Sequence, residues 1–431
     1  MNAGTDGPSF PIALTEYSST SGVSLSERQS TALEATGMVT MSRGHNGLWT
    51  LKANKELAGA VVVSHGDEAV ELRIEPKLPI RRLMFLIGYA QRGVMWNDDL
   101  DNELTDAGEH DGLLPAMALA FARMADGALA QGVMLGYRTV EEALPVVRGR
   151  VRESAQIRGR YGAMLPVEVG YADYTVDIAE NQILLAATHR ILHIPGLPTS
   201  TRALLRRVRA RLNGVTLTRH KDPLPDWHPS RLNTRYQAAL RLGELVLRDS
   251  SYEPFHGDGI RVEGVMLRMW QIFEDFVANA VTDALRPRGG HCASQDEHYL
   301  DQSRSLELRA DLVYYESSFS GTRRPAGVVD AKYKFAKDDS PERDVLYQML
   351  AYCTVLNLSE GHLIYAAGPK ATKKRPARRG ARSHVHRLNG PSQIAIHHHI
   401  LDLDQSCATE RGHVAAQNGR LPHWSAMGGA Q

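Results

Sequence analysis

Two short runs, at residues 306–315 and 326–335, constrain this chain more than any other feature. The first carries Leu308, Leu312, Val313, Tyr314 and Tyr315, and the second Val328, Val329, Tyr333 and Phe335. Both are rich in β-branched, aromatic and aliphatic residues, and polar turn formers separate them, so they read as the two strands of a β-hairpin. With a reversal near Ser320 and Gly321, antiparallel pairing sets Asp311 opposite Asp330, since the two lie about equally far from the turn. Directly opposed side chains share a sheet face, with Cβ atoms about 5 Å apart. Lys332 follows Asp330 by two residues, and the strand period puts it on the same face.

Two carboxylates and a lysine on one face point to metal-dependent phosphodiester hydrolysis. Mg²⁺ is a hard ion that takes oxygen ligands and keeps several waters. Asp311, Asp330 and the backbone carbonyl of Ala331 supply such ligands, for one ion or two. An ion there stabilises charge on the scissile phosphate and acidifies a bound water, which a nearby lysine can position. Repulsion between the carboxylates favours a cation as well. The competing reading is a surface hairpin whose Asp and Lys form exposed pairs worth about 0–1 kcal/mol.

The flanking segments favour the first reading. At 265–285, Met266, Met269, Trp270, Phe273, Val277, Val281 and Ala284 recur at helical spacing, which predicts an amphipathic helix packed on a sheet. Glu274 lies at the edge of that stripe while Asp275 points away, so Glu274 is the candidate third acid. Downstream, Ser340 as cap and Pro341 at the first position predict a helix start. That helix buries Val345, Leu346, Met349, Leu350 and Cys353, with Asp344, Tyr347 and Gln348 beside the stripe. Gln348 is placed to bond a metal-bound water or a phosphate. Residues 362–367 and 394–403 read as strands, so the order is helix, strand, strand, helix, strand, strand.

That order, with its acids, its Asp-x-Lys and its Tyr347-Gln348 pair, resembles the PD-(D/E)XK nuclease fold. More specifically, the chain is similar to the McrC-like nuclease subunits of McrBC modified-cytosine restriction systems. The matching segments are 72–77 followed by 85–90, then 144–150, 177–184, 272–277, 329–334 and 347–352. Each is weak alone; their order and coverage carry the resemblance. Ala310 departs from the proline in the family's name, a position that supplies no ligand. The pattern of strands and helices in the amino-terminal half reads as a mixed α+β domain, and the resemblance implies that an α/β nuclease domain with a central mixed sheet flanked by helices follows it. It also implies a McrB-like AAA+ hexamer as partner, whose GTP hydrolysis the amino-terminal half stimulates, and double-stranded DNA as the substrate of the carboxy-terminal half. No Gly-x-x-x-x-Gly-Lys-Ser/Thr loop occurs, so any motor is a separate chain.

Charge is local rather than global. Fifty basic residues against forty-nine acidic ones, in 431, create no overall field towards nucleic acid. Lys370, Lys373, Lys374, Arg375, Arg378, Arg379, Arg382 and Arg387 fall in one stretch without an acid, which reads as a basic loop suited to phosphate contacts or simply as a solvated one. Cys292, Cys353 and Cys407 have neither disulfide-framework nor zinc-site spacing. No long apolar run or leader is evident, which predicts a cytoplasmic protein that does not cross a membrane. His397, His398 and His399 alternate faces, so at most two point the same way, and they read as a solvent-facing strand.

The expected division is a disordered or loosely attached segment at 1–25, a partner-docking domain at 26–225, a helical linker at 226–259, the nuclease domain at 260–405 and a tail at 406–431. Within the second of these, residues 137–151 read as a strand on which Arg148, Arg150 and Arg152 share a face. Those arginines either reach a neighbouring nucleotide site or pair with acids inside the domain, the commoner case. Two functions remain open: a Mg²⁺-dependent endonuclease subunit that works with a motor, and a non-catalytic activator and DNA clamp for that motor.

Overall fold

The computed structural model describes residues 11–54, 56–78, 83, 86–87, 112–218, 222–249, 259–317, 323–333, 342–366, 382–389 and 393–401. The chain opens with β1 (Ile12–Thr15), β2 (Ser19–Val23), α1 (Glu27–Thr36), β3 (Val39–Arg43), β4 (Trp49–Ala53), β5 (Leu57–His65) and β6 (Glu68–Glu75). Next come α2 (Leu113–Ala128), β7 (Gly136–Leu144), β8 (Arg150–Val151), α3 (Glu153–Gly159), β9 (Val167–Thr175), α4 (Ala179–Leu192), α5 (Thr199–Arg211) and α6 (Gln237–Asp249). The last part contains β10 (Ile260–Arg268), α7 (Met269–Leu285), β11 (His291–Tyr299), β12 (Glu307–Ser317), β13 (Arg323–Lys332), α8 (Arg343–Val355), β14 (Glu360–Ala366), β15 (Arg382–Arg387) and β16 (Ala395–Leu401).

The chain divides into two compact units, one within Met1–Gly59, Val63–Leu113 and Met266–Gln431, the other within Ala60–Val62 and Leu114–Val265. The first unit therefore joins both ends of the sequence, and this partition differs from boundaries near 225 and 260. The amino-terminal strands are the reason. Ile12 and Leu14 are buried on β1, which pairs in parallel with β6. Residues 11–25 are thus built into the fold rather than loosely attached. Ser26 then starts α1 through a reciprocal capping box with Gln29, and Gly37 ends it in the left-handed region that glycine adopts freely.

The six-stranded sheet of the first unit has the order β11-β12-β13-β14-β16-β15. β11, β12 and β13 are antiparallel neighbours, whereas β13, β14 and β16 run parallel. α8 covers one face. Its Met349, Tyr352 and Cys353 are buried with Val313, Val328, Leu363 and Ile396. On α7, Phe273 packs against Tyr333, with ring centroids 5.9 Å apart.

Several local expectations need correction. Val265 and Met266 belong to β10 rather than to the helix, and at the junction the Met269 N–H bonds to the carbonyl of Glu56 at 2.8 Å. The cap of α8 is Glu342, with extended backbone, while Ser340 and Pro341, the expected cap and first position, lie outside the described residues. His397, His398 and His399 are buried, because β14 and β15 flank β16 on both sides. The alternation of faces does hold. His397 and His399 stack with His362, while His398 meets the edge of Tyr365 on the other face. Of the basic stretch, residues 382–387 form β15 at the sheet edge instead of a loop, and Lys370 to Arg379 lie outside the described residues.

In the second unit α6 is core rather than linker. Gly243 sits so close to Ala187, Phe121 and Ile183 that an added Cβ would meet them at 3.2–3.6 Å, so α2, α4 and α6 pack tightly there. In the small sheet β7-β9-β8, the expected single strand at 137–151 is two: β7 ends at Leu144, and β8 starts at Arg150 on the other side of β9, after Gly149 with its φ of 72°. Arg148 then pairs with Asp173 at 2.9 Å and Arg152 with Glu141 at 2.6 Å, both inside this sheet. Among the described residues no helix is long and apolar enough to cross a membrane.

Candidate active site

The hairpin register is the one the turn position implies. Leu312 pairs with Val329, Val313 with Val328 and Tyr314 with Gly327, which carries Asp311 opposite Asp330. A shift follows between Tyr314 and Tyr315, on the turn side of the site. Three of the anticipated groups converge. The Lys332 ammonium lies 2.7 Å from Asp330 Oδ2, and the Ala331 N–H donates to Asp311 Oδ2 at 2.8 Å. Asp330 is 1% exposed, so its charge has little solvent to rely on.

Glu274 reaches the same cluster from α7, half-buried, while its neighbour Asp275 is exposed. Burial, then the charge of Asp311, pushes the Glu274 carboxyl up to about 8, against the pull of Lys332. Asp330 is raised for the same reasons, burial first and Asp311 second. Asp311 is raised by burial as well, partly offset by the Ala331 N–H and Lys332. Burial works against the Lys332 ammonium, yet Asp330, Asp311 and Glu274 outweigh it and hold its pKa above the ordinary lysine value.

Gln348 does not bond to the acids. Its amide donates to Tyr352 Oη at 2.8 Å, and Tyr352 Oη donates to the Arg309 carbonyl at 2.6 Å, two residues before Asp311. Gln348 thus borders the site through Tyr352. A residue that sequence reasoning missed lies on the other side of Asp311: Gln295 of β11, whose Nε2 donates to Asp311 Oδ1 at 3.1 Å. Nothing in the polar run from Ser294 to Glu297 marks a strand, so the sequence carries no signal for it.

Among the described residues no three side chains of His, Cys, Asp or Glu are gathered as a ready-made metal cage. As the side chains stand, the central positive charge is the Lys332 ammonium. The donor chemistry nevertheless fits a hard divalent cation. Three carboxylates share one lysine, and Glu274 and Asp330 are both held towards their neutral forms, which is the imbalance a bound cation relieves.

The sequence profile of the family described as McrBC 5-methylcytosine restriction system component matches residues 55–366. No curated protein matches the chain. Among solved structures, the fold is similar to a chain in the refined half-complex from the tetradecameric assembly of Thermococcus gammatolerans McrB AAA+ hexamers with bound McrC. That likeness has a TM-score of 0.55 at 17% identity and covers 95% of this chain and 99% of the other. A chain of the Thermococcus gammatolerans McrBC complex aligns at 18% identity with a TM-score of 0.40, covering 64% of this chain and 88% of that one. The first of these likenesses shows a shared mixed α/β architecture, and with most of the sequence inside the profile match, the chain belongs to the family of McrBC 5-methylcytosine restriction system components.

Proposed function

We propose that this protein is the DNA-cutting subunit of a McrBC-type restriction complex: a cytoplasmic, Mg²⁺-dependent endonuclease with a PD-(D/E)XK domain. It cuts double-stranded DNA when engaged by a McrB-like AAA+ GTPase hexamer whose hydrolysis it stimulates, and the system serves defence against phage. The observation that carries the reading is the convergence of Asp311, Asp330 and Lys332, joined by Glu274, on one face of a mixed sheet. Support for the partner comes from the family match and from the Thermococcus assembly, where McrC is bound to McrB AAA+ hexamers.

Asp311, Asp330 and the Ala331 carbonyl would hold the ion, with Glu274 beside them. When bound, Mg²⁺ stabilises the charge that builds on the scissile phosphate and acidifies the attacking water. Lys332 keeps its proton, so it acts as a fixed cation that orients that water and offsets phosphate charge. Asp330 anchors Lys332, and the Ala331 N–H anchors Asp311, so each group is positioned by another member of the set. Basic residues at 370–387 follow the DNA backbone by charge.

The test is DNA cleavage by the purified complex with Asp330→Ala and with Lys332→Ala. Both substitutions abolish cutting under this reading. If either leaves it intact, the site is misassigned; if no metal ever supports nicking while hydrolysis is stimulated, the chain is an activator and clamp instead.

A further inference from the structure

Gln295 stands directly across from Asp311. β11 pairs with β12 through Ser294 and Leu312 on one side and through Asp296 and Ala310 on the other, so the register places Gln295 and Asp311 face to face between those pairs. Across three strands the order is then Gln295, Asp311, Asp330. Gln295 is also the one strand position here with a φ of 53°, in the left-handed region that residues other than glycine avoid. The residue is exposed, so core packing does not force it into that conformation. Non-glycine backbone in such a region tends to sit where function requires it.

What the distorted backbone accompanies is a specific bond. The Gln295 amide donates to Asp311 Oδ1 at 3.1 Å while the Ala331 N–H donates to Oδ2 at 2.8 Å, so both oxygens of one carboxylate are held from opposite sides. An ionised carboxylate has about four lone-pair sites. Two neutral donors fix its plane, leave lone pairs open on each oxygen and leave its charge whole. A lysine or arginine at 295 would instead supply a competing cation.

We infer that Gln295 is a positioning residue for the divalent ion. It acts through Asp311, by holding that carboxylate in the orientation that presents it to the cation. The inference rests on the nuclease reading above and goes beyond it in assigning a role to a strand outside the hairpin. Partners that orient a metal ligand in this way change affinity or activity by about 10–100-fold when removed.

The experiment titrates Mn²⁺ into the full chain by calorimetry, with Gln295→Gly and Gln295→Leu beside the parent and Asp330→Ala. Gln295→Gly removes the amide but suits the positive φ, whereas Gln295→Leu removes the amide and keeps the strain, so loss of the donor is separated from a folding defect. Both are expected to weaken Mn²⁺ binding about tenfold. In the complex, the Mg²⁺ concentration for half-maximal cleavage should rise by a similar factor, with the rate at saturating Mg²⁺ changed by less than about threefold. Affinity within about twofold of the parent for both variants, with Asp330→Ala abolishing binding, overturns the role of Gln295 and leaves the nuclease reading standing. A parent chain that binds no Mn²⁺ overturns both.

Discussion

Tyr333 Oη donates to Glu16 Oε2 at 3.2 Å, joining residues 317 positions apart in the sequence. The bond ties the turn after β1 to the residue that follows Lys332, so the start of the chain helps to frame the end of the strand that carries the site. Glu16 is fully buried, and the backbone N–H of Lys77 also donates to its Oε2 at 3.2 Å.

A pH signature follows from that burial, which pushes the Glu16 carboxyl up to about 7. Between the ordinary carboxylate range and pH 7, the folded protein holds a proton that the unfolded chain has already released. Stability therefore falls as pH rises through that window and levels off above it. Glu16→Gln keeps an acceptor for Tyr333 and Lys77 without the charge. Its stability advantage over the parent should grow between about pH 4.5 and 7 to on the order of 3 kcal/mol, at 1.36 kcal/mol per unit. Thermal melts across pH measure it, and a difference that does not vary with pH would rule the titration out.

Neighbouring acids on α7 should behave in opposite ways. Glu274 is half-buried among like charges, so Glu274→Gln is expected to raise the melting temperature while lowering cleavage by the complex at least about tenfold. Asp275 is exposed, and Asp275→Asn should leave cleavage within about threefold of the parent. Equal losses from both would mean that the charge of the helix end, and not Glu274, is what matters.

The hydroxyl of Tyr352 links α8 to β12. It donates to the Arg309 carbonyl at 2.6 Å and accepts from Gln348 at 2.8 Å. Tyr352→Phe leaves that carbonyl unsatisfied beside a buried ring, which costs about 1–3 kcal/mol in urea unfolding. Because Arg309 stands two residues before Asp311, cleavage should drop as well. A variant as stable as the parent would show that water replaces the hydroxyl without penalty.

The site was legible where local periodicity decided the outcome. Strand alternation put Asp330 and Lys332 on one face, the distance to the turn set the register with Asp311, and the helical stripe separated Glu274 from Asp275. What escaped depended on neighbours distant in sequence. The polar run of β11 has no apolar alternation and becomes a strand by pairing with β12, so Gln295 could not be read. The inner position of β16, which carries His397, His398 and His399, depends on β15 pairing beside it, and the basic composition of residues 382–387 resembles a loop. The inclusion of residues 11–25 in the first unit depends on β1 pairing with β6, some sixty residues later.

The most direct test of the account measures GTP hydrolysis and DNA nicking side by side in one reaction, using the purified complex carrying Asp311→Asn. The account predicts hydrolysis stimulated as by the parent and nicking reduced by about a thousandfold or more, since the proposed ligand of the ion loses its charge. Nicking at the parent rate with hydrolysis unchanged would contradict it, and would move the cutting site away from the hairpin.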